Sequence, residues 1–217
     1  MTTYRANGAE FIAADDMIVR WLNQGNPAFE PSTTKWMFDR LAERRGLYVD
    51  VGASTGWFAI PVALTNREVV AVECNSRSFA RLLENAEINH VRLEAHRVAA
   101  SDYQGQATFH FNPRLPLTSG GSLIASASAR RAAETVNTDT LDNLVGDRQV
   151  AFLKVDVEGY EMAVLRGAET VINRERPFMV LEANTDAHFD VLDRWLKDHA
   201  YTWKQADTRN MLCSPSS

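Results

Sequence analysis

Short apolar runs alternate with amphipathic segments along most of this chain. The runs have the length and the β-branched content of strands that are buried on both faces. The segments between them repeat apolar residues at helical spacing, most clearly at Phe79, Leu82 and Ala86. Five buried strands are predicted, at 47–52, 69–73, a run ending near Ala100, 151–156 and 178–182.

Buried strands that alternate with helices form a parallel sheet covered on both sides. We therefore predict an α/β fold in one domain, since no repeat or linker divides the chain. A short strand is expected at 108–111, and two more strands are expected around 201–205 and 210–213. Ligands of such sheets bind at the carboxyl ends of the strands. Five acidic residues follow predicted strand ends and are candidates for function: Asp50, Glu73, Asp102, Asp156 and Glu182.

The first 45 residues have the pattern of amphipathic helices. Met17, Ile18, Trp21 and Leu22 fall on one helical face, and Pro31 starts a second helix. We expect residues 1–46 to form an N-terminal helical segment that packs on a main domain of residues 47–217.

Residues 113–133 are rich in Ser, Ala and Gly and lack periodicity, with a hinge-like SGGS run at 119–122. We expect this long connection to form a loop that acts as a mobile cover over the site.

The strongest chemical signal is the strand–turn–helix sequence DVGASTG at 50–56. Gly52 allows the backbone to approach a ligand closely, and Gly56 allows tight helix packing. The spacing differs from the GxGxxG turn of dinucleotide sites and from the P-loop. A glycine turn of this kind also occurs in many α/β proteins that bind no nucleoside.

Glu73 lies 23 residues after Asp50, at the end of the next predicted strand. A carboxylate there can accept hydrogen bonds from both ribose hydroxyls and repels a 2′-phosphate. A purely structural role is disfavoured, because an unpaired buried carboxylate is costly. Asp50 and Glu73 together indicate a nucleoside site that does not require a pyrophosphate.

Several motifs in this order resemble the FkbM-type methyltransferases. They are the glycine turn, VAVE at 70–73, ASD at 100–102 followed by Gly105, TLD at 140–142, FLKVDVEGYE at 152–161 and VLRGA at 164–168. The resemblance covers roughly residues 28–184, and KVDVEGYE is its most specific element, since all class I methyltransferases share the glycine turn. Ser54 and Cys74 depart from the family, which usually has Asn and Pro there.

The resemblance implies a Rossmann-like class I methyltransferase fold, a three-layer sandwich with a mostly parallel seven-stranded sheet and helices on both faces. It implies S-adenosyl-L-methionine as the cofactor and O-methylation, often of a sugar hydroxyl. Asp50 and Gly52 would lie beside the methionine part of the cofactor, and Glu73 would hold the ribose. The implied cofactor-binding residues are Asp50, Gly52, Ala53, Ser54, Gly56, Glu73, Ala100, Ser101 and Asp102.

Asp102 has two interpretations. It would accept a hydrogen bond from the adenine amino group, or it only begins a turn that ends at Gly105.

Lys154, Asp156 and Glu158 alternate along one segment, so their side chains point the same way if the strand persists. A lysine in so apolar a strand is expected to pair with Asp156 or Glu182. The same polar groups would orient and deprotonate an acceptor hydroxyl. We therefore assign Lys154, Asp156, Glu158 and Glu182 as candidate catalytic residues. His188 is a further candidate base, although a place in the first turn of a helix over 186–199 is favoured.

Charge and composition narrow the function further. The net charge of −5 disfavours a nucleic-acid partner, so we expect a small-molecule or glycan acceptor. No apolar run is long enough for a membrane span, no signal peptide is evident and the two cysteines form no motif, so we expect a cytoplasmic protein without a membrane partner. Asp156 and Glu182 resemble an oxygen pair for Mg²⁺, but no third ligand is evident and no metal is expected. The oligomeric state stays open.

Two alternative functions compete with a methyltransferase. An NAD-dependent oxidoreductase would need the GxGxxG spacing that is missing here. A non-catalytic Rossmann-like binding domain would tolerate the loss of Asp50, Gly52 or Glu73, yet all three are present.

Overall fold

The consecutive apolar residues of the chain form the strands of a central sheet. The computed structural model describes residues 2–26, 28–117, 121–124 and 132–216. The strands are β1 (Thr3–Ala6), β2 (Ala9–Ile12), β3 (Leu47–Val51), β4 (Val69–Val72), β5 (Glu94–His96), β6 (Ala99–Ala100), β7 (Gly105–Phe111), β8 (Gly121–Ser122), β9 (Ala132–Asp139), β10 (Val150–Val155), β11 (Phe178–Glu182), β12 (Tyr201–Ala206) and β13 (Asn210–Pro215). The helices are α1 (Met17–Asn23), α2 (Pro31–Glu43), α3 (Ala59–Ala63), α4 (Ser76–Ile88), α5 (Leu141–Val145), α6 (Glu161–Arg166), α7 (Glu169–Glu175) and α8 (Asp186–Asp198).

The central sheet has seven strands in the order β12-β13-β11-β10-β3-β4-β5 over the described residues. Strands β5, β4, β3, β10 and β11 are parallel, and β13 runs antiparallel to both β11 and β12. The α/β prediction is confirmed, and the sheet is mixed rather than fully parallel. The chain order reverses between β3 and β10, which pairs Asp50 with Lys154 in the register. Such a reversal is where parallel α/β sheets bind ligands.

Helices cover both faces of the sheet. One core cluster combines Val49 and Leu153 with Leu165 of α6 and Leu192 of α8. The other combines strand residues with α1, α2, α3 and α4, and it contains Tyr48. Alternate residues of β3 therefore enter different cores, as expected for a strand buried on both faces. No described helix has the length and apolar character needed to cross a membrane.

The N-terminal segment is only partly helical, and the prediction of helices throughout the first 45 residues is wrong. Residues 3–12 form an antiparallel β-hairpin, β1–β2. Its turn is Asn7-Gly8, and both residues have positive φ angles, of 51° and 80°. An Asn-Gly pair with this conformation is the preferred two-residue hairpin turn. Helices α1 and α2 are confirmed, and α2 ends at Glu43, before Gly46.

A second sheet, β6-β9-β7-β8, is inserted between β5 and α5. The predicted third strand therefore ends earlier than expected, because the central sheet takes Glu94–His96 and Ala99–Ala100 belongs to the inserted sheet. The prediction of an irregular loop over 113–133 is wrong at residues 121–122 and 132–133, which are strand residues. Residues 118–120 and 125–131 of that loop, including Ser119 and Gly120 of the hinge-like run, lie outside the described residues.

Candidate active site

A cavity of about 720 Å³ opens at the carboxyl ends of β3, β4, β10 and β11. Three other parts of the chain complete its walls: the N-terminal segment with Trp21 and Phe29, the inserted sheet with Phe109, and the β12–β13 turn with Arg209. Most of the predicted site residues lie in this cavity. The lining includes Asp50, Gly52, Ala53, Ser54, Glu73, Ala100, Lys154, Asp156, Glu158 and Glu182.

The two glycines of the turn after β3 are required for different structural reasons. Gly52 has a φ of 79°, and a Cβ atom there would overlap the backbone carbonyl oxygen of Asp156. The glycine therefore lets β3 and the end of β10 lie in contact, in addition to lining the cavity. Gly56 has a φ of 90°, and a Cβ there would press against the side chains of Ile60 and Leu82. It permits the tight helix packing predicted for this position, but it does not line the cavity, contrary to its assignment as a cofactor-binding residue.

Glu73 is held by backbone N–H groups at the end of β4. The N–H of Ser54 donates to its Oε2 at 2.9 Å, and the N–H of Asn75 donates to its Oε1 at 2.7 Å. Burial raises the pKa of Glu73 to about 7, while these two hydrogen bonds oppose the rise. Each oxygen keeps a lone pair for a ligand in the cavity. These two hydrogen bonds thus hold the carboxylate in an orientation in which a ligand with two hydrogen-bond donors can bind it.

Asp50 is buried beside the turn, and neither of its carboxylate oxygens has a hydrogen-bond partner among the described residues. Burial raises the pKa of Asp50 to about 6, although the Lys154 ammonium lowers it. An unpartnered buried carboxylate is costly. The backbone N–H of Ala59 helps to lower the pKa of Asp50, and the residue lines the same cavity as Glu73.

Lys154 pairs with Asp156, one of the two partners predicted for it. Its Nζ donates to Asp156 Oδ2 at 2.9 Å and lies 4.7 Å from the ring centre of Phe58. Burial alone would lower the pKa of Lys154, but the carboxylates of Asp156, Asp50 and Glu30 raise it above its usual value. The lysine therefore stays charged and links several carboxylates in the cavity.

The neighbouring carboxyl groups of Asp156 and Glu182 have pKa values that are shifted in opposite directions. Burial would raise the pKa of Asp156, but the charge and hydrogen bond of Lys154 outweigh it and the pKa lies below its usual value. Burial and the charges of Asp156 and Glu158 raise the pKa of Glu182 to about 9. At neutral pH, Asp156 is therefore the ionised acceptor and Glu182 carries the proton. Arg209 Nη1 lies 3.4 Å from Glu182 Oε1 at the mouth of the cavity.

Glu158 does not continue the alternation predicted from the sequence, because β10 ends at Val155 and Glu158 has a φ of 55°. The turn is held by Glu161, whose Oε1 accepts from the N–H groups of Val157 and Gly159 at 3.0 and 3.3 Å. Glu161 is fully buried, so the last acid of the KVDVEGYE block fixes the turn after Asp156. Glu158 still lines the cavity, and burial raises its pKa.

His188 lies in the first turn of α8, as the favoured interpretation states, since its N–H donates to Oγ1 of the helix cap Thr185. Its Nε2 lies 3.1 Å from Oε2 of Glu161. His188 is outside the cavity lining.

The residues after β6 divide between cavity and surface. Ala100 lines the cavity, whereas Ser101 and Asp102 do not. Asp102 pairs with Arg166 at 2.8 Å, and the hydrogen bond from Arg166 lowers its pKa. The geometry thus does not bring Asp102 to a ligand in the cavity and favours its turn-forming role. The apolar side chains that line this end come instead from β7 of the inserted sheet and from the residues on either side of β8: Phe109, Phe111, Leu117 and Leu123.

The described part of the predicted cover is bound to the N-terminal segment. The N–H of Leu117 donates to the carbonyl of Asp15 at 2.7 Å, and the N–H of Met17 donates to the carbonyl of Leu117 at 3.1 Å. Arg77 pairs with Asp15 at 2.8 Å. These contacts close one side of the cavity, and the mobility of the cover stays a prediction.

Sequence reasoning missed Glu30, which lines the cavity from the N-cap position of α2. Its φ of 43° is left-handed, a conformation that non-glycine residues rarely adopt and that clusters at functional sites. Asn210 Nδ2 donates to Glu30 Oε2 at 2.8 Å. Burial raises the pKa of Glu30 to about 7, while Lys154 lowers it. An acid before Pro31 was the available signal, but its partner stands 180 residues away in the chain.

The comparisons with known proteins agree with this geometry. Residues 50–202 match the family model of the methyltransferase FkbM domain. The hexuronic acid methyltransferase AglP of Haloferax volcanii is 28% identical over 141 residues, which are 65% of this chain and 57% of that protein. The chain thus spans a little over half the length of this curated relative.

Two solved structures share the fold. The methyltransferase FkbM from Methylobacillus flagellatus aligns with 78% of this chain and 43% of its own, with a TM-score of 0.55 and 17% identity. A T. thermophilus 16S rRNA methyltransferase in complex with AdoMet and guanosine aligns with 100% of this chain and 50% of its own, with a TM-score of 0.54 and 16% identity. These likenesses show the Rossmann-like α/β fold of class I methyltransferases. Together with the family match over 50–202, they mean that the chain belongs to the FkbM methyltransferase family.

Proposed function

We propose that this chain transfers a methyl group from S-adenosylmethionine to a hydroxyl oxygen of a sugar-like acceptor. The observation that carries this proposal is the pair of buried acids at neighbouring strand ends. Glu73 is anchored by two backbone N–H groups, and Asp50 has two unpartnered oxygens in the same cavity. Adjacent parallel strands lie about 4.8 Å apart, so one nucleoside-sized ligand can reach both acids.

The residues present fit the cofactor. The remaining lone pairs of Glu73 would accept from two ribose hydroxyls, and Asp50 would accept from the ammonium group of the methionine part. The adenine would lie among Phe109, Leu117 and Leu123. When bound, the cofactor supplies an electrophilic methyl group on a positively charged sulfur. The T. thermophilus relative, whose structure holds AdoMet, supports the same assignment for this fold.

Asp156 is the candidate that acts on the acceptor hydroxyl. It is ionised because Lys154 holds its pKa low, and it directly follows β10, whose Lys154 pairs with Asp50 in the register. It would accept the hydroxyl hydrogen bond and aim the oxygen lone pair. Such positioning and general-base assistance contribute roughly 10²–10⁴-fold to a rate. Lys154 keeps Asp156 fixed, and Asp156 would take the hydroxyl proton as the new C–O bond forms and the C–S bond of the donor breaks. The adjacent Glu182 already holds a proton and would act as a hydrogen-bond donor.

The choice of oxygen and of a sugar rests on two supports. The curated relative is named a hexuronic acid methyltransferase, a protein that acts on a sugar derivative. The cavity also combines aromatic side chains with carboxyl groups, which suits the apolar ring faces and the hydroxyls of a sugar.

Calorimetry with S-adenosylhomocysteine and NAD tests the cofactor assignment. We expect S-adenosylhomocysteine to bind and NAD not to bind. Glu73→Gln should weaken binding, whereas Glu68→Gln, an exposed glutamate just before the start of β4, should leave it unchanged. Equal binding by both variants would remove Glu73 from the cofactor site.

Transfer of a labelled methyl group to an extract of cellular small molecules and glycans then tests the reaction. We expect the label to appear as a methyl ether, which survives mild alkali. A label that mild alkali releases would indicate an ester and would contradict methylation of a hydroxyl.

A further inference from the structure

The acceptor end of the cavity is the part around Asp156 and Glu158, and Glu30 lies in its wall. Asp156 and Glu158 belong to one turn, which connects β10 to α6. The backbone of this turn is left-handed at two consecutive residues, with a φ of 55° at Glu158 and of 100° at Gly159. A non-glycine residue keeps such a conformation only where the surrounding structure holds it. The groups that hold the turn therefore determine the geometry of the acceptor end.

The turn is held by Glu161, and His188 is the partner of Glu161. Oε1 of Glu161 accepts from the N–H groups of Val157 and Gly159, which leaves Oε2 for another donor. Nε2 of His188 lies 3.1 Å from this Oε2. Both atoms are shielded from solvent, and neither has another hydrogen-bond partner in the part of the chain that the structure describes. Because buried polar atoms in native proteins are nearly always paired, we regard these two as partners.

The imidazole of His188 is oriented from its own side as well. The backbone N–H of His188 donates to Oγ1 of the helix cap Thr185 at 3.2 Å, which fixes the residue in the first turn of α8. The N–H of Asn184 donates to Nδ1 of the ring at 3.5 Å. With Nδ1 as an acceptor, the ring proton is on Nε2 and is directed at Glu161.

The same connection reaches the acceptor end a second time. Nδ2 of Asn184 donates to Oε2 of Glu182 at 3.1 Å and to Oε2 of Glu158 at 3.4 Å. The turn after β10 and the connection after β11 are thus joined by an exposed contact of Asn184 and by the buried contact between His188 and Glu161. These two contacts fix the carboxyl groups of both strand ends relative to each other.

We propose that His188 is a positioning residue of the methyl-transfer site, whose contact with Glu161 holds the turn 156–160 and so aims Asp156 and Glu158 at the acceptor. The inference rests on the proposed function. His188 is outside the cavity lining, so it acts through Glu161 and not on a ligand. Its loss leaves a buried carboxylate oxygen without a donor, and such a group is costly. A displacement of about 1 Å at reacting groups can slow a reaction by about 10²-fold.

Two variants with the same amide group test the inference. His188→Gln places an N–H donor at about the reach of Nε2, so it should still contact Glu161. His188→Asn keeps an acceptor for the N–H of Asn184 but ends short of Glu161. His199→Asn is the control, because His199 lies near a glutamate at the other end of α8, with its Nε2 3.7 Å from Oε1 of Glu169.

Three measurements are made on each variant: hydrogen exchange at the N–H groups of Val157 and Gly159, binding of S-adenosylhomocysteine, and transfer of a labelled methyl group to a dilution series of the cellular extract. In His188→Asn we expect exchange at the two N–H groups to be at least about tenfold faster. The maximal transfer rate should fall at least about tenfold, with little change in the amount of extract that gives half of it.

Binding of S-adenosylhomocysteine should stay within about twofold of normal in all variants, because other groups hold Glu73. His188→Gln should restore the rate and the slow exchange to within about twofold of the unaltered chain, and His199→Asn should alter neither. A merely structural role would lower stability without separating the rate from cofactor binding.

Equal rates for His188→Asn and His188→Gln would overturn the inference, as would unchanged exchange at Val157 and Gly159. A fall in rate matched by an equal loss of S-adenosylhomocysteine binding would also overturn it, since the defect would then be general. Lack of transfer by the unaltered chain would instead overturn the proposed function.

Discussion

The two ends of the cavity hold their carboxylates in different ways. At the proposed cofactor end, the backbone N–H groups of Ser54 and Asn75 fix Glu73. Ser54 lies in the turn after β3, and Asn75 lies in the turn after β4. At the acceptor end, the Asn210 side chain fixes Glu30 across 180 residues of sequence. A site held by backbone groups survives most changes of neighbouring side chains. A site held by side chains changes with them, so specificity can vary while the cofactor end stays the same.

The two ends meet at Lys154. Its ammonium pairs with Asp156, lies in the register beside Asp50 and raises the ionised fraction of Glu30. A substitution that affects only one end should leave binding at the other end unchanged. A substitution where the two ends meet should affect both.

The largest expected effect is at Gly52, which lies against the backbone carbonyl of Asp156 where the two ends meet. Gly52→Ala places a Cβ against the carbonyl of Asp156 at a φ of 79°. We expect a loss of about 3 kcal/mol or more in the free energy of unfolding, measured by urea denaturation. Gly25→Ala is the control, because Gly25, just after α1, also has a positive φ, of 84°, but open space around it, and it should cost only about 1–2 kcal/mol. Equal losses would mean that the contact between β3 and Asp156 is not what requires the glycine.

The next effect is on chemistry at the acceptor end. Asp156→Asn keeps the size of the side chain and removes its charge. Single-turnover methyl transfer should slow by roughly 10²-fold or more if Asp156 orients or deprotonates the hydroxyl. Asp147→Asn, at an exposed aspartate before β10, serves as the control and should have a normal rate. A normal rate for Asp156→Asn with a large drop in melting temperature would make Asp156 only the ion-pair partner of Lys154.

The third effect is confined to the cofactor end. Glu73→Ala removes two proposed charged hydrogen bonds to ribose, so the dissociation constant of S-adenosylhomocysteine should rise at least about tenfold. None of the groups that hold Glu73 lies at the acceptor end, so binding of the acceptor should be unchanged. Calorimetry measures the change, and an unaltered constant would refute the ribose role.

The smallest effect is on stability as a function of pH. Burial raises the pKa of Glu73 and Glu30 to about 7 and that of Glu182 to about 9. Between about pH 5 and 9 the folded chain therefore binds more protons than the unfolded chain, and the free energy of unfolding falls as pH rises through these values. The low pKa of Asp156 has the opposite sign but acts only below about pH 4. We expect a melting temperature several degrees higher at pH 6 than at pH 8.5 without ligand. Glu73→Gln should reduce this difference more than Glu68→Gln does.

The sequence places the residues of the proposed cofactor end together in one cavity, because their signals are local. Asp50, the glycine turn and Glu73 each follow a buried strand, and parallel strands place their ends at one edge of the sheet. The β1–β2 hairpin had a local signal too, the Asn7-Gly8 pair, which the helical interpretation overlooked. Asp102 was ambiguous because a polar residue after a strand can turn the chain or bind a ligand. Its ion pair with Arg166 favours the turn-forming role, and that contact spans 64 residues.

The acceptor end could not be predicted in the same way. The position of Glu30 depends on Asn210 and Asp207, whose contact with α2 is fixed only when the last strand pair joins the sheet. Of the inserted sheet, only the short strand at 108–111 was predicted, and it lies within β7; β8 and β9 were missed, since they place few buried residues on one face and gave no strong period. Long-range pairing of polar side chains leaves little trace in local hydrophobic patterns.

The bond between Asn210 and Glu30 bears on how such a protein can diverge. A substitution at either position alters the wall without touching the backbone groups that hold Glu73. The acceptor can therefore change during evolution while binding of the methyl donor is retained. The expected record of that history is paired change at positions 30 and 210 among descendants whose turn at 50–56 is retained.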